Sequence, residues 1–254
     1  MSEKVFVNYI YDSCYSLSCG DYFLVFDYAK GLLDIPESKH VIFFVTDKQK
    51  DSYTEEIFNL GSLKSLNYVI NKNIIDLKYQ DNIIYLNKDE FGMKDLKKLY
   101  NMNNVYMVDE DNSLCLNFGQ DDVFIKTFSL DGENLGYLIE LDSIIIFYGG
   151  SLNFARVDDE RYLDLLDELE IENPDIIFLP IADLNKMSLA YLDKLISSSE
   201  SQIFFPTKIG GKEELSLDFK NFYKANITDI RSIDEANERI EIDINWRCES
   251  SIIN

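Results

Sequence analysis

An apolar run at residues 41–45 (VIFFV) ends abruptly in six polar residues, Thr46, Asp47, Lys48, Gln49, Lys50 and Asp51. Five apolar residues in a row, three of them Val or Ile, read as a strand buried on both faces. A buried strand that stops in a polar loop is the pattern by which α/β folds place a site at the end of a sheet. Helical spacing follows at 54–60 (TEEIFNL), with Thr54 placed to cap it. The loop holds no His and no Cys, and the chain's one histidine, His40, precedes the strand. The place where chemistry is expected therefore offers few groups to perform it.

The rest of the chain alternates in the same manner. Residues 5–11, 22–27, 66–70, 83–86, 105–108, 123–128, 136–141 and 144–148 are rich in Val, Ile, Phe and Tyr and read as strands. Gly20-Asp21 between two apolar runs reads as a hairpin turn. Residues 93–100 read as a short helix or turn. After Gly149-Gly150 the period changes. Residues 158–169 place apolar side chains on one helical stripe with an acidic opposite face. A buried-type strand at 176–181, a second helix at 188–197, a strand at 203–205 ended by Pro206, and a third helix at 219–226 complete the order. The tail, 230–244, reads as edge strands and loops. Two mixed β-sheets packed face to face with helices outside, an αββα sandwich, accommodate this order within one domain spanning 1–254.

Composition removes several function classes. The formal charge is −22, from 46 acidic and 24 basic residues. Phosphate contacts need a basic surface, so no nucleic-acid partner and no anionic membrane partner are expected. The acidity reads as solubility or as a docking surface for a protein partner. The longest apolar runs fall far short of the roughly 20 residues of a membrane span, and the first residues lack a signal-peptide pattern. A cytoplasmic protein is expected. Cys14, Cys19, Cys115 and Cys248 form no CxxC pair, which argues against a zinc knuckle and for reduced, incidental thiols.

Several segments, in this order and spacing, resemble the metallo-β-lactamase-fold hydrolases, in particular small bacterial members. They are YIYDSCY at 9–15, LVFDYAKG at 24–31, Asp34-Ile35-Pro36, VIFFVTDKQKDSY at 41–53 with TEEIF after it, IIIFYGGSLN at 144–153 and IFFPTK at 203–208. In that family the loop after the strand carries His-x-His-x-Asp-His, which binds one or two metal ions, usually zinc, to activate water. The resemblance puts Asp47 and Gln49 at the first two His positions, keeps Asp51, and puts Ser52 at the third His. The later bridging Asp falls on Ser151 and the last His on Lys208. A further family His has no clear counterpart; its neighbourhood is residues 129–133 (SLDGE). Asp12 stands where related sequences often carry His. Asp27 corresponds to an Asp that supports the metal loop, and its expected role is to hydrogen-bond loop backbone.

The resemblance thus implies a former metal-site pocket of Asp47, Gln49, Asp51, Ser52, Ser151 and Lys208, supported by Asp27. Ser, Gln and a cationic Lys are poor zinc ligands, so no zinc and no other cofactor are expected. Oxygen ligation of Mg²⁺ or Ca²⁺ by Asp47 and Asp51 stays open as an alternative, with a hydrolase of unknown substrate as its consequence. Lys208 either replaces the lost charge by pairing with Asp47 and Asp51 or points to solvent. Ser151 as a nucleophile lacks a base nearby in sequence. Gly210-Gly211 reads as flexibility at the pocket mouth or as a strand end. The expected function is that of a non-catalytic pseudo-hydrolase that binds a small ligand or a protein partner.

Overall fold

A computed structural model describes residues 3–60, 66–74, 84–87, 90–94, 104–119, 121–141, 144–182, 184–223 and 228–244. The first sheet has nine strands: β1 (Glu3–Tyr11), β2 (Cys14–Cys19), β3 (Tyr22–Phe26), β4 (His40–Val45), β5 (Leu66–Asn71), β6 (Ile84–Asn87), β7 (Glu90–Lys94), β8 (Asn104–Val108) and β16 (Arg239–Ile244). Their spatial order is β16-β1-β2-β3-β4-β5-β8-β6-β7. The second sheet has seven: β9 (Ser113–Asn117), β10 (Asp122–Phe128), β11 (Gly136–Leu141), β12 (Ile144–Tyr148), β13 (Ile176–Pro180), β14 (Ile203–Thr207) and β15 (Asp229–Ile230), running β15-β14-β13-β12-β11-β10-β9. Both sheets are mixed. β3, β4, β5 and β8 are parallel neighbours in one, and β12 to β15 in the other. The expected αββα sandwich is therefore observed.

The crossovers of the second sheet supply the described α-helices: α1 (Asp159–Glu172), α2 (Lys186–Ser199) and α3 (Glu214–Phe222). Asp158 caps α1 by accepting from the N–H groups of Glu160 and Arg161, and Asn185 caps α2 through Met187 and Ser188. Sandwiched between helices and the other sheet, β13 and β14 are buried at every residue, which explains their unbroken apolar sequences. Ring contacts separate the two faces. Phe204 stacks on Phe219 of α3, while its neighbour Phe205 stacks on Phe178 toward the first sheet.

Some expectations shift. Residues 54–60 form a 3₁₀ turn, Glu55–Asn59, rather than an α-helix, with Thr54 capping it as expected. The expected helix or turn at 93–100 is strand β7 at its start, and the remainder lies outside the described residues. The third helix lies five residues earlier than expected, at Glu214–Phe222, and residues 224–226 lie outside the described residues. β9 was not foreseen, because Ser113–Asn117 alternates burial weakly at a sheet edge. The outer face of β3, β4, β5 and β8 is covered by the 3₁₀ turn and the 28–35 loop: Ile57 joins the cluster that holds Phe43 and Tyr68, and Tyr28, Leu33 and Ile35 pack against it. No described helix is long and apolar enough to cross a membrane.

The core between the sheets is aromatic. Phe26 and Phe44 from the first sheet stack with each other, and Phe26 stacks on Tyr148 of the second at 4.3 Å. Tyr15 and Phe178 meet across the interface at 5.1 Å. Tyrosine hydroxyls here reach across to backbone carbonyls: Tyr15 donates to Pro206 O at 2.5 Å and Tyr137 to Val45 O at 2.6 Å. Each hydroxyl is satisfied by a group of the opposite sheet, so these bonds fix the alignment of the two sheets as well as burying area. Phe178→Ala should cost about 3–5 kcal/mol of unfolding free energy in urea titrations. Leu163→Ala, at a side chain exposed on α1, should stay within about 0.5 kcal/mol.

Candidate functional site

Every sequence-designated position lies at one end of the sandwich, where β3, β4, β12 and β14 run out into loops. The loop after β4 begins at Thr46 and is anchored from three sides. Thr46 N–H and Oγ1 donate to Asp27 Oδ1 and Oδ2 at 2.8 and 2.7 Å. Thr46 O accepts from Leu135 N–H at 3.2 Å and from Asn71 Nδ2 at 2.9 Å, and Asn71 also donates to Glu133 O. Residues 129–133 thus end beside the loop. Asp27 is fully buried and accepts from the loop backbone at Thr46.

Beyond Thr46, three side chains converge on one ammonium, and a fourth joins through one of them. Lys208 Nζ lies 3.8 Å from Asp47 Oδ2 and 3.7 Å from Asp51 Oδ1, and donates to Ser52 Oγ at 3.0 Å. Ser52 Oγ is 3.4 Å from Ser151 Oγ. Lys208 therefore points inward, not to solvent. Asp47, Ser52 and Ser151 are buried, and Asp51 is half-exposed. Gln49 does not join by its side chain, which is exposed; its backbone N–H donates to Asp47 Oδ1 at 2.5 Å. Above the cluster, Tyr11, Lys30, Gln49, Lys50 and Asp51 line an open cleft of about 400 Å³. Lys30 Nζ sits 3.9 Å over the Tyr11 ring.

The backbone around the cluster is unusual. Asp12, Asp27 and Lys208 all adopt left-handed conformations, with φ of 54°, 45° and 58°. Such a residue costs about 1–2 kcal/mol unless it is Gly, Asn or Asp. Lys208 holds its conformation because its ammonium is drawn inward and the loop after it is tied down. Gly210, at φ 62°, donates its N–H to Asp12 Oδ1 at 2.6 Å. Gly210 therefore fixes the loop to β1–β2 rather than loosening it. Gly150 approaches the Tyr148 ring so closely that a Cβ would collide with it.

Charge in this region is tightly balanced. Burial pushes the Asp12 carboxyl up, and Lys208 and the Gly210 N–H oppose that shift. Burial, then the charge of Asp47, raises Asp27 from 3.8 to about 7. Geometry agrees. Tyr148 Oη lies 2.6 Å from Ser13 O and 2.9 Å from Asp27 Oδ2, but it has one proton to give. A protonated Asp27 that donates to Tyr148 Oη leaves that proton for Ser13 O.

The sequence matches no model of a known protein family. No curated protein sequence matches it either. Solved structures do. The chain is similar to Igni18, described as a novel metallo hydrolase from the hyperthermophilic archaeon Ignicoccus hospitalis, with a TM-score of 0.63 at 11% identity over 95% of this chain and 100% of that one. It is also similar to the metallo-β-lactamase fold protein YhfI from Bacillus subtilis, with a TM-score of 0.60 at 14% identity over 94% and 99% of the two chains. The chain has the metallo-β-lactamase fold.

Within the metallo-β-lactamase fold, the donors on hand do not fit zinc. Around Lys208 stand two carboxylates and two hydroxyls and, among the described residues, no imidazole or thiolate in contact with it. Zinc sites draw on Cys and His, and an ammonium within 4 Å of both carboxylates repels a divalent ion. Among the described residues, no three His, Cys, Asp or Glu side chains form a metal-binding group. Sequence reasoning missed the supporting residues, Thr46, Asn71 and Tyr148. A buried Tyr or Asn carries no local mark that separates it from ordinary core.

The Asp27 shift has a definite sign. A carboxyl raised on folding stabilises fully below about 3.8 and loses that contribution as pH climbs through about 7. At about 1.4 kcal/mol per pH unit, that window corresponds to roughly 4 kcal/mol. Asp27→Asn should therefore be most destabilising relative to the native chain near pH 4, and the difference should shrink steadily toward pH 8. Urea titrations across that range measure it; a constant difference would contradict the assignment.

Proposed function

We propose that this chain is a cytoplasmic, single-domain member of the metallo-β-lactamase fold that has lost its metal site, a pseudo-hydrolase in which Lys208 stands where the cation would be. The observation that supports it is the placement of the Lys208 ammonium between Asp47 and Asp51, with Ser52 and Ser151 beside it. Buried carboxylates need a counter-charge, and a lysine supplies one without bound metal. The Ser52–Lys208 contact does not make a nucleophile–base pair: Ser52 is fully buried, so its hydroxyl does not meet a substrate. The retained role is binding, and the cleft of Tyr11, Lys30, Gln49, Lys50 and Asp51 suits a small polar ligand.

A second reading is favoured by one detail. Asp47 Oδ2 and Asp51 Oδ1 are buried and accept no hydrogen bond, because Lys208 stands at ion-pair rather than hydrogen-bond distance. Such oxygens suit a hard, oxygen-ligated cation such as Mg²⁺ or Ca²⁺, and with it a hydrolase of altered metal dependence.

Elemental analysis of the purified protein for Zn, Mn, Fe, Mg and Ca separates the two. The pseudo-hydrolase reading expects none in stoichiometric amount; one equivalent of a transition metal would overturn it, and one of Mg or Ca would favour the second reading. Lys208→Ala should cost about 3 kcal/mol by leaving the buried Asp47 carboxylate unpaired. It should also create a melting temperature that rises with millimolar Mn²⁺ or Ca²⁺, while that of the native chain should stay constant. A loss below about 0.5 kcal/mol would show that Lys208 neutralises nothing.

A further inference from the structure

The outer face of the nine-stranded sheet is covered unevenly. Its β3-β4-β5-β8 half lies under the 3₁₀ turn and the 28–35 loop. The outward side chains of β16, β1 and β2 instead floor an open cleft of about 730 Å³. That volume falls within the ~300–1,000 Å³ of small-molecule sites. It shares no lining residue with the cleft above Lys208.

The lining reverses the charge of the molecule. The chain carries 46 acidic and 24 basic residues, yet Lys4, Lys39 and Arg239 line this cleft against one carboxylate, Asp34. Lys4 is paired with Glu241 at 2.5 Å. The other two cations are held by neutral groups. Lys39 Nζ donates to Ser18 Oγ at 2.6 Å and to Gly20 O at 2.7 Å, and the Arg239 guanidinium lies 4.2 Å over the Phe6 ring. Among the described residues, neither has a carboxylate within ion-pair distance. Two positioned, unpaired cations in a concavity focus positive potential there, in a molecule that is otherwise negative.

The cleft is also apolar in part. The largely buried Phe23 contributes an edge to its floor, and the uncovered apolar surface is Leu32 at its rim, 76% exposed. Uncovered apolar surface beside unpaired cations is complementary to a molecule with a flat apolar ring and an anionic group. We propose that this cleft binds a small aromatic anion, the ring lying against Phe23 and Leu32 and the anionic group meeting Lys39 and Arg239. The inference is independent of the reading given to Lys208.

The probe is 1-anilinonaphthalene-8-sulfonate, titrated by fluorescence into the full chain. Saturable binding at one site is expected, weakened at least tenfold by Lys39→Glu and by Arg239→Glu. Lys39→Gln and Arg239→Gln read the same loss should either reversal prevent folding, which thermal melts report. Lys186→Glu, an exposed charge reversal on α2, controls for net charge and should leave binding unchanged. Neutral N-phenyl-1-naphthylamine should bind at least tenfold more weakly, and equimolar sulfate should not displace the probe. Absence of saturable binding, indifference to the Lys39 and Arg239 variants, equal affinity for the neutral dye, or displacement by equimolar sulfate would each overturn the proposal.

Discussion

A single buried carboxylate, Asp27, holds the working end of this molecule together. It sits at the end of β3, takes two hydrogen bonds from Thr46 at the end of β4, and meets Tyr148 at the end of β12 in the other sheet. Tyr148 in turn reaches Ser13 O at the β1–β2 turn. Four chain segments distant in sequence are thereby fixed around one residue with no exposed surface. An uncompensated charge there would be costly, and burial raises Asp27 toward neutrality, so the network persists as a satisfied hydrogen-bond junction. The position of the loop carrying Asp47, Asp51 and Ser52 follows from that junction.

Electrostatics then decides what the loop can hold. In an acidic chain, each buried or concave grouping of carboxylates demands a cation. At the strand ends that cation is Lys208, held inward despite a left-handed backbone. On the outer face of the first sheet the balance is reversed: Lys39 and Arg239 are stabilised by a hydroxyl, a carbonyl and an aromatic face and keep their charge available. One arrangement sets an ammonium between two carboxylates; the other leaves two cations with no carboxylate partner among the described residues.

Much of the fold was legible because its strands are buried on both faces. The runs at 41–45, 144–148, 176–181 and 203–205 are apolar without interruption, which only parallel strands inside a layered fold require. The first two helices showed through their apolar stripes, and the structure added their caps, Asp158 and Asn185. The elements that escaped or shifted are those stabilised by context: β9 at an edge, the 3₁₀ turn after Thr54, and α3, which begins without a side-chain cap at Glu213. The convergence of Asp47, Asp51, Ser52, Ser151 and Lys208 was expected from a family resemblance. Composition alone would not have joined residues 47 and 208.

By itself the sequence determined the layered α/β architecture, the strand–loop break at Thr46 and the scarcity of imidazole and thiol donors, since these follow from local pattern and residue identity. It left open whether Lys208 turned inward or outward. It also gave no sign that Tyr148 would meet Asp27, or that Lys39 and Arg239 would share one cleft. Those outcomes depend on which side chains the packing of two sheets brings within a few ångströms of one another. Hydrogen bonds and ion pairs act only at that range, so only the tertiary structure decided them.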